Sequence, residues 1–278
     1  FLIHMSVTIT AADINKLRQT TGAGMLDCRK ALTESNGDFE AAIDWLRKQG
    51  QKVAAKRSDR EAKEGVVIAQ TTADHKSGIV LCISCETDFV SKNADFVAFA
   101  QSIADAAIAN DVKTAEELNG VTVNGAKVEE LINDKLAEKR KKIAVSKFER
   151  VDAPYVASYI HGANRMGVLV SMTKEAAEAG KDVAMQIAAM NPLAVDETSI
   201  SQETKDREKA IAIEMIKAEG KPAEMAEKIA DGKMNKFFKD NTLMHQAFVK
   251  DNSKSVADYL KSVDADLKVT DFKRVALG

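Results

Sequence analysis

The chain has 278 residues, of which 45% are hydrophobic and 29% charged, with a formal net charge of -2. That length fits one to three domains in an ordinary globular balance, and the absence of an overall basic excess points to a protein partner rather than direct nucleic-acid contact. No apolar run reaches the roughly 18 residues of a membrane span. Phe1-Leu2-Ile3-His4, ahead of Met5, is too short for a signal peptide and lacks a basic start, so it is set aside as a vector-derived remnant.

Residues 5–51 read as a bundle of three short helices. Thr10 and Asp13 form a capping-box-like start, with Asp where Glu is usual, and Ile14 and Leu17 share one face. Gly22-Ala23-Gly24 ends this helix. The second helix carries Met25, Leu26, Ala31 and Leu32. Asn36-Gly37-Asp38 makes the next turn with Asp38 as cap, and the third helix, Phe39 to Gln49, carries Ile43 and Leu46 before Gly50 stops it. The bundle is similar to ubiquitin-associated domains, which usually bind proteins; a plain helical cap is the other reading. Lys52 to Glu64 follow as a charged linker, helical or mobile.

Residues 65–152 and 153–278 read as a duplicated α+β core with antiparallel sheets. In the first copy, Gly65 to Thr72 and Gly78 to Ser84 are strands around Asp74-His75-Lys76-Ser77. A helix from Asn93 onward carries Phe96, Phe99, Ala100, Ile103 and Ala107 at helical spacing. In the second copy, Tyr155 to His161 and Arg165 to Thr173 form the hairpin, and Gly180 to Met190 the helix, with Val183, Ile187 and Met190. Gly78-Ile79-Val80-Leu81 and Gly167-Val168-Leu169-Val170 occupy equivalent places. A further helix is expected over Lys127 to Val145. Its Lys139-Arg140-Lys141-Lys142 run is a solvated face or an anion site.

Three cysteines argue against a disulfide framework. Cys82 and Cys85 form a C-x-x-C, but on a strand residues three apart face opposite sides. A reactive pair normally opens a helix, so both read as structural thiols of a reducing compartment.

From Gln202 to Gly232 the period is helical again. Ile211, Met215 and Ala218 give one stripe, Met225 and Ile229 another, and Gly220-Lys221-Pro222 separates them. This predicts an antiparallel helical hairpin over residues 202–232, inserted in the second core subdomain. Each arm is too short for a self-sufficient coiled coil, so the hairpin projects from the core or packs on a partner. The tail holds Phe237-Phe238, a segment from Asn241 to Val249, a helix near Ser255 to Ser262, and an alternating strand from Leu267 to Val275.

Catalytic signatures are missing. Gly180-Lys181-Asp182 lacks the upstream Gly and the Ser/Thr of a phosphate loop. His4, His75, His161 and His245 are dispersed without zinc spacing, and no G-x-S-x-G elbow occurs. The expectation is a non-enzyme that acts by binding, with no cofactor and no metal.

Three segments carry the functional reading. Cys85-Glu86-Thr87-Asp88-Phe89-Val90 sets an acid and an aromatic just after a strand: one carboxylate to hydrogen-bond, one ring to enter a pocket. Upstream stands the run from Leu17 to Leu32, Leu-Arg-Gln-Thr-Thr-Gly-Ala-Gly-Met-Leu-Asp-Cys-Arg-Lys-Ala-Leu. Downstream stands His161-Gly162-Ala163-Asn164-Arg165-Met166-Gly167-Val168-Leu169-Val170. In this order the three closely resemble the elongation factor Ts family, from Val7 to the C-terminus.

The resemblance implies a cytoplasmic guanine-nucleotide exchange factor whose partner is the translational GTPase elongation factor Tu. It implies that Thr87, Asp88, Phe89 and Val90 intrude near the Mg²⁺ site of that GTPase. It places Arg18, Met25 and Leu26 on the partner's nucleotide domain and His161 near its phosphate-binding region. It also implies that the helical hairpin protrudes as a coiled coil, and that two-plus-two assemblies with the partner form. The sequence departs from the family pattern at three points. Leu26 stands where a second methionine is frequent, Asn164 looks like an insertion that lengthens a turn, and Ala247 replaces a usual proline. Phe89 as a core aromatic, and Met25 and Leu26 as bundle core, are the competing placements. A protein-binding scaffold or chaperone-like module without exchange is the competing function.

Overall fold

The expected caps start the N-terminal helices. In the computed structural model, which describes residues 8–49, 63–139 and 143–278, Thr10 and Asp13 complete a capping box. The Asp13 amide donates to the Thr10 hydroxyl at 3.2 Å, and the Thr10 amide donates to the Asp13 carboxylate at 2.9 Å. They open α1 (Ala11–Thr21), which Gly22 ends at a φ of 73°, a conformation that costs glycine little. α2 (Met25–Glu34) and α3 (Phe39–Lys48) follow, the latter capped by Asp38 through the Ala41 amide. Leu17, Cys28, Leu32, Ile43 and Leu46 close a small core. Residues Phe1 to His4, Gly50, connector residues 52–62 and basic residues 140–142 lie outside the described residues.

The first sheet pairs β1 (Glu64–Thr71) with β2 (Ser77–Cys85) in antiparallel register. A single turn, α4 (Asp88–Ser91), precedes α5 (Ala94–Ala109), which Asn93 caps through the Asp95 amide at 2.8 Å. Next come α6 (Ala115–Gly120), the short ribbon β3 (Thr122–Val123) and β4 (Ala126–Lys127), and α7 (Val128–Lys139). β5 (Ile143–Asp152) then returns to β2, giving the order β1-β2-β5. This corrects the helix expected through Val145, since extended chain begins at Ile143. A bulge opposite Cys82 and Ile83 breaks the period of two, and residues 145–150 are only half-buried, so the strand's alternation is weak.

The second sheet repeats the plan. β6 (Tyr155–His161) and β7 (Met166–Met172) form a hairpin, covered by α8 (Ala177–Met190). The chain then forms α9 (Gln202–Ala218) and α10 (Ala223–Asn241). A ribbon of β8 (Ala247–Phe248) and β9 (Asp251–Ser255) follows, then α11 (Val256–Val263). Last, β10 (Val269–Ala276) joins β7, giving the order β10-β7-β6. Buried Gln186 on α8 bonds the Ala247 carbonyl at 3.1 Å and the Val249 amide at 2.8 Å, so Ala247 is held through its backbone.

Alternation along the strands buries both faces. Val66, Ile68, Ile79, Leu81 and Ile83 pack on Phe96, Ala100 and Ile103 of α5. On the other face, Val67, Ala69, Val80 and Cys82 meet Val156, Leu169 and Val275 of the second sheet. Val168, Val170 and Met172 point away, toward α8 and α11. Cys82 and Cys85 thus lie on opposite faces, each buried.

The two copies interlock reciprocally. A Cβ at Gly78 would stand 2.8 Å from Val156, and one at Gly167 would stand 2.9 Å from Val67. The spacing from Gly78 to Gly167 also takes Val67 to Val156 and His75 to Asn164. The Val156 amide donates to the His75 carbonyl at 2.6 Å and the Val67 amide to that of Asn164 at 2.8 Å. Asn164 is therefore the counterpart of His75, and both adopt positive φ, 65° and 56°. Each hairpin turn hooks the first strand of the other copy.

By internal packing the N-terminal bundle groups with Ile200–Phe238, and the remaining chain to Ser199 groups with Lys239–Gly278. α9 and α10 meet along Ala212, Ile216, Ala226 and Ala230. This corrects the predicted stripes in part: Ile229 packs against the seam, while Met225 is exposed and Met215 half-buried. A second face of α9 serves the bundle. Arg47 of α3 binds both Glu208 oxygens at 2.9 and 2.6 Å, and Arg207 reaches Asp44 at 3.3 Å. Ile211 lines the recess beside this pair with Met215 and Phe237.

Candidate functional site

The strand end that precedes the acid–aromatic pair is held from both sides. Cys85, the last residue of β2, pairs with Glu64 of β1 and Ile143 of β5. Its thiol donates to the Thr87 carbonyl at 3.3 Å. Thr87 enters α4 in extended conformation, its hydroxyl oxygen buried without a hydrogen-bond partner. The single helical turn then sorts its side chains. Val90 packs inward with the α5 layer, and Phe89 is 86% exposed. Phe89 is a surface aromatic on a one-turn helix, not a core residue.

Asp88 is partly exposed, and its carboxylate accepts from the Lys92 ammonium at 2.8 Å. That hydrogen bond, and then the Lys92 charge, hold Asp88 below the usual carboxylate range. The Ser91 hydroxyl donates to the Asp88 carbonyl at 3.1 Å, closing the turn.

His161 ends β6 and is exposed, its Nδ1 lying 2.9 Å from the Tyr159 hydroxyl. The turn that follows holds three successive positive-φ residues, Gly162, Ala163 and Asn164. The added length has a structural use. The Asn164 side-chain amide donates to the Val67 carbonyl at 3.1 Å, beside the backbone bond between the same residues. Arg165 then binds Glu64 at 3.1 Å. Because Glu64 is also the strand partner of Cys85, the Thr87–Val90 tip and the His161 turn share one end of the two-sheet core.

Arg18, Met25 and Leu26 belong to the other unit. All three are exposed, Leu26 at 81% and Met25 at 53%, while Cys28, Ala31 and Leu32 turn inward. The first turn of α2 thus presents two large apolar side chains to solvent. Arg18 lines a shallow recess with Asn15, Gln19 and Gly22.

Lys92, Glu64 and Arg165 surround the tip without having been singled out from the sequence. The legible signal for Lys92 is its position four residues after Asp88, the spacing at which helical side chains of opposite charge meet. Nothing local couples Glu64 to Arg165, which only the tertiary fold brings together. Among the described residues, no group of three or more His, Cys, Asp or Glu is placed to hold a metal ion. No helix among them is long and apolar enough to cross a membrane.

Comparison with known proteins agrees with the motif order. The profile of the family described as Elongation factor TS matches residues 86–278. Elongation factor Ts of Christiangramia forsetii is 50% identical over 273 residues, covering 97% of this chain and 99% of that protein. Elongation factor Ts of Flavobacterium psychrophilum is 50% identical over 281 residues, covering 98% and 99%. Elongation factor Ts of Clostridium perfringens is 42% identical over 282 residues, covering 97% and 93%. The profile takes in the tip, the His161 turn and the whole second sheet, and the relatives extend the match across the N-terminal bundle: the chain belongs to the elongation factor Ts family.

Proposed function

We propose that this chain promotes GDP release from elongation factor Tu during translation elongation by inserting Asp88 and Phe89 near the Mg²⁺ site of the GTPase. Family membership implies exchange on elongation factor Tu. The observation that supports the insertion is Phe89, 86% exposed on a turn whose strand is paired on both sides.

A GTPase holds its nucleotide through the phosphates and a bridging Mg²⁺. A factor that binds the empty form better than the loaded form weakens nucleotide by the ratio in which nucleotide weakens the factor. An exposed ring has apolar area to bury between partner helices. An ionised carboxylate competes for the groups that organise the metal. Neither step makes or breaks a covalent bond, so this chain needs no catalytic group or cofactor.

His161, at the same end of the core as the tip, supplies a second contact near the phosphates. Met25 and Leu26 supply an apolar contact with the nucleotide domain, and Arg18 a charged one. The same reading includes Thr87 and Val90 in the intruding segment, a cytoplasmic setting, a two-plus-two assembly with the partner and no direct contact with RNA. The net charge of -2 supports the last point.

The test is release of a fluorescent GDP from purified elongation factor Tu in excess unlabelled GDP. Catalytic amounts of this chain accelerate release if the proposal holds. A folded chain that binds the GTPase without accelerating release leaves a binding module and sinks the exchange reading.

A further inference from the structure

The charges around the tip alternate in sign. Asp88 binds Lys92 at 2.8 Å, and beside them Glu64 binds Arg165 at 3.1 Å. Lys92 is the residue that closes α4, and Asp88 the residue that opens it, so their bond staples the turn from end to end. One turn of helix is too short to be stable from its own backbone bonds. Phe89 faces solvent and adds no packing of its own. The ion pair thus adds a side-chain link across a turn that also rests on Val90 packing and the Ser91 hydroxyl bond.

We infer that Lys92 is a positioning residue for exchange: its ammonium aims the Asp88 carboxylate in the free protein and yields it to the partner on docking. This rests on the proposed role of the tip. The pair suits a temporary hold because Lys92 is largely and Asp88 partly solvated, and exposed ion pairs are weak. A carboxylate already fixed in one rotamer loses less entropy when it docks. The Lys92 ammonium is raised above its ordinary range by the Asp88 hydrogen bond first, then by its charge, with Glu64 adding and Arg165 opposing.

The experiment is GDP release from elongation factor Tu driven by Lys92→Gln, Lys92→Arg, Asp88→Ala and the double variant Asp88→Ala/Lys92→Gln, over a range of factor concentrations. Lys92→Gln is expected to raise the factor concentration for half-maximal exchange about three- to tenfold, the scale of ordering one side chain at an interface. The maximal release rate and the thermal midpoint should stay near those of the unaltered chain, and Lys92→Arg should restore the affinity. In the Asp88→Ala background, Lys92→Gln should add nothing, because Lys92 acts through Asp88. An equal loss in that background, or no loss with Asp88 present, overturns the inference and leaves the tip reading standing. Normal exchange by Asp88→Ala removes the role of Asp88, and this inference falls with it.

Discussion

The two copies of the core share a scaffold and differ at the start of the covering helix. The spacing that takes Gly78 to Gly167 takes Thr87, just ahead of α4, to Ala176, just ahead of α8. In the second copy the helix runs unbroken from Ala177 to Met190. In the first, the corresponding turn stops at Ser91, Lys92 closes it, and Asn93 caps a new helix from Ala94. Phe89 is exposed where the second copy presents exposed Glu178. The tip is thus the first turn of a core helix cut loose from the remainder. A duplicated fold supplied the rigid base, and one break in one copy freed a turn to carry the aromatic.

Breaking the shared scaffold should have the largest effect. Gly167→Val places carbon against Val67, Ala69 and Val80, within 2.9 to 3.0 Å of each. It should cost about 3 kcal/mol, at the upper end for overpacking between fitted layers, read by urea denaturation. Gly78→Val, its counterpart against Val156 and Leu169, should cost a similar amount. A loss from one glycine and not the other would show that the interlock is not reciprocal.

The turn hooks come next. Asn164→Ala removes the side-chain bond to the Val67 carbonyl and leaves a non-glycine residue at a φ of 65°. About 1–2 kcal/mol should be lost. Asn164→Gly, which relieves the backbone, should lose less. Equal losses would put the whole effect on the side-chain bond.

Asn93→Ala tests the difference between the copies. Loss of its cap on the Asp95 amide should cost about 1 kcal/mol. Exchange should fall more than that stability loss explains, because the break that orients α4 is weakened. Unchanged exchange would mean that α4 holds its place without the cap. The smallest change is expected at Leu26→Ser. Stability should stay within about 0.5 kcal/mol, as for exposed positions, while affinity for the GTPase falls.

Elements with local signatures were legible in the sequence. The Thr10–Asp13 box, the Asp38 cap, both hairpins and the covering helices follow from caps and periodicity. β5 was not legible: its bulge and half-buried middle hide the alternation, and the preceding basic residues extend the look of a helix. The seam of the helical hairpin was misread in part because three of its four buried residues, around Ile216, are alanines rather than the larger Ile211 and Met225. The structural use of Asn164 was not legible, since its equivalence to His75 shows only in the pairing of each turn with the opposite copy. At the site, Asp88 and Phe89 could be read from residue type and order. Their nearness to the His161 turn could not, because it runs through Glu64 and Arg165, far apart in the chain.

The central claim is that the tip acts and the scaffold only holds it. The most direct measurement is the GDP-release rate of elongation factor Tu with the Asp88→Ala/Phe89→Ala double variant beside the unaltered chain, with circular dichroism on both. The account predicts the same spectrum and thermal midpoint, and exchange reduced at least about tenfold, as for loss of a buried aromatic anchor at an interface. Normal exchange by a folded double variant would contradict it.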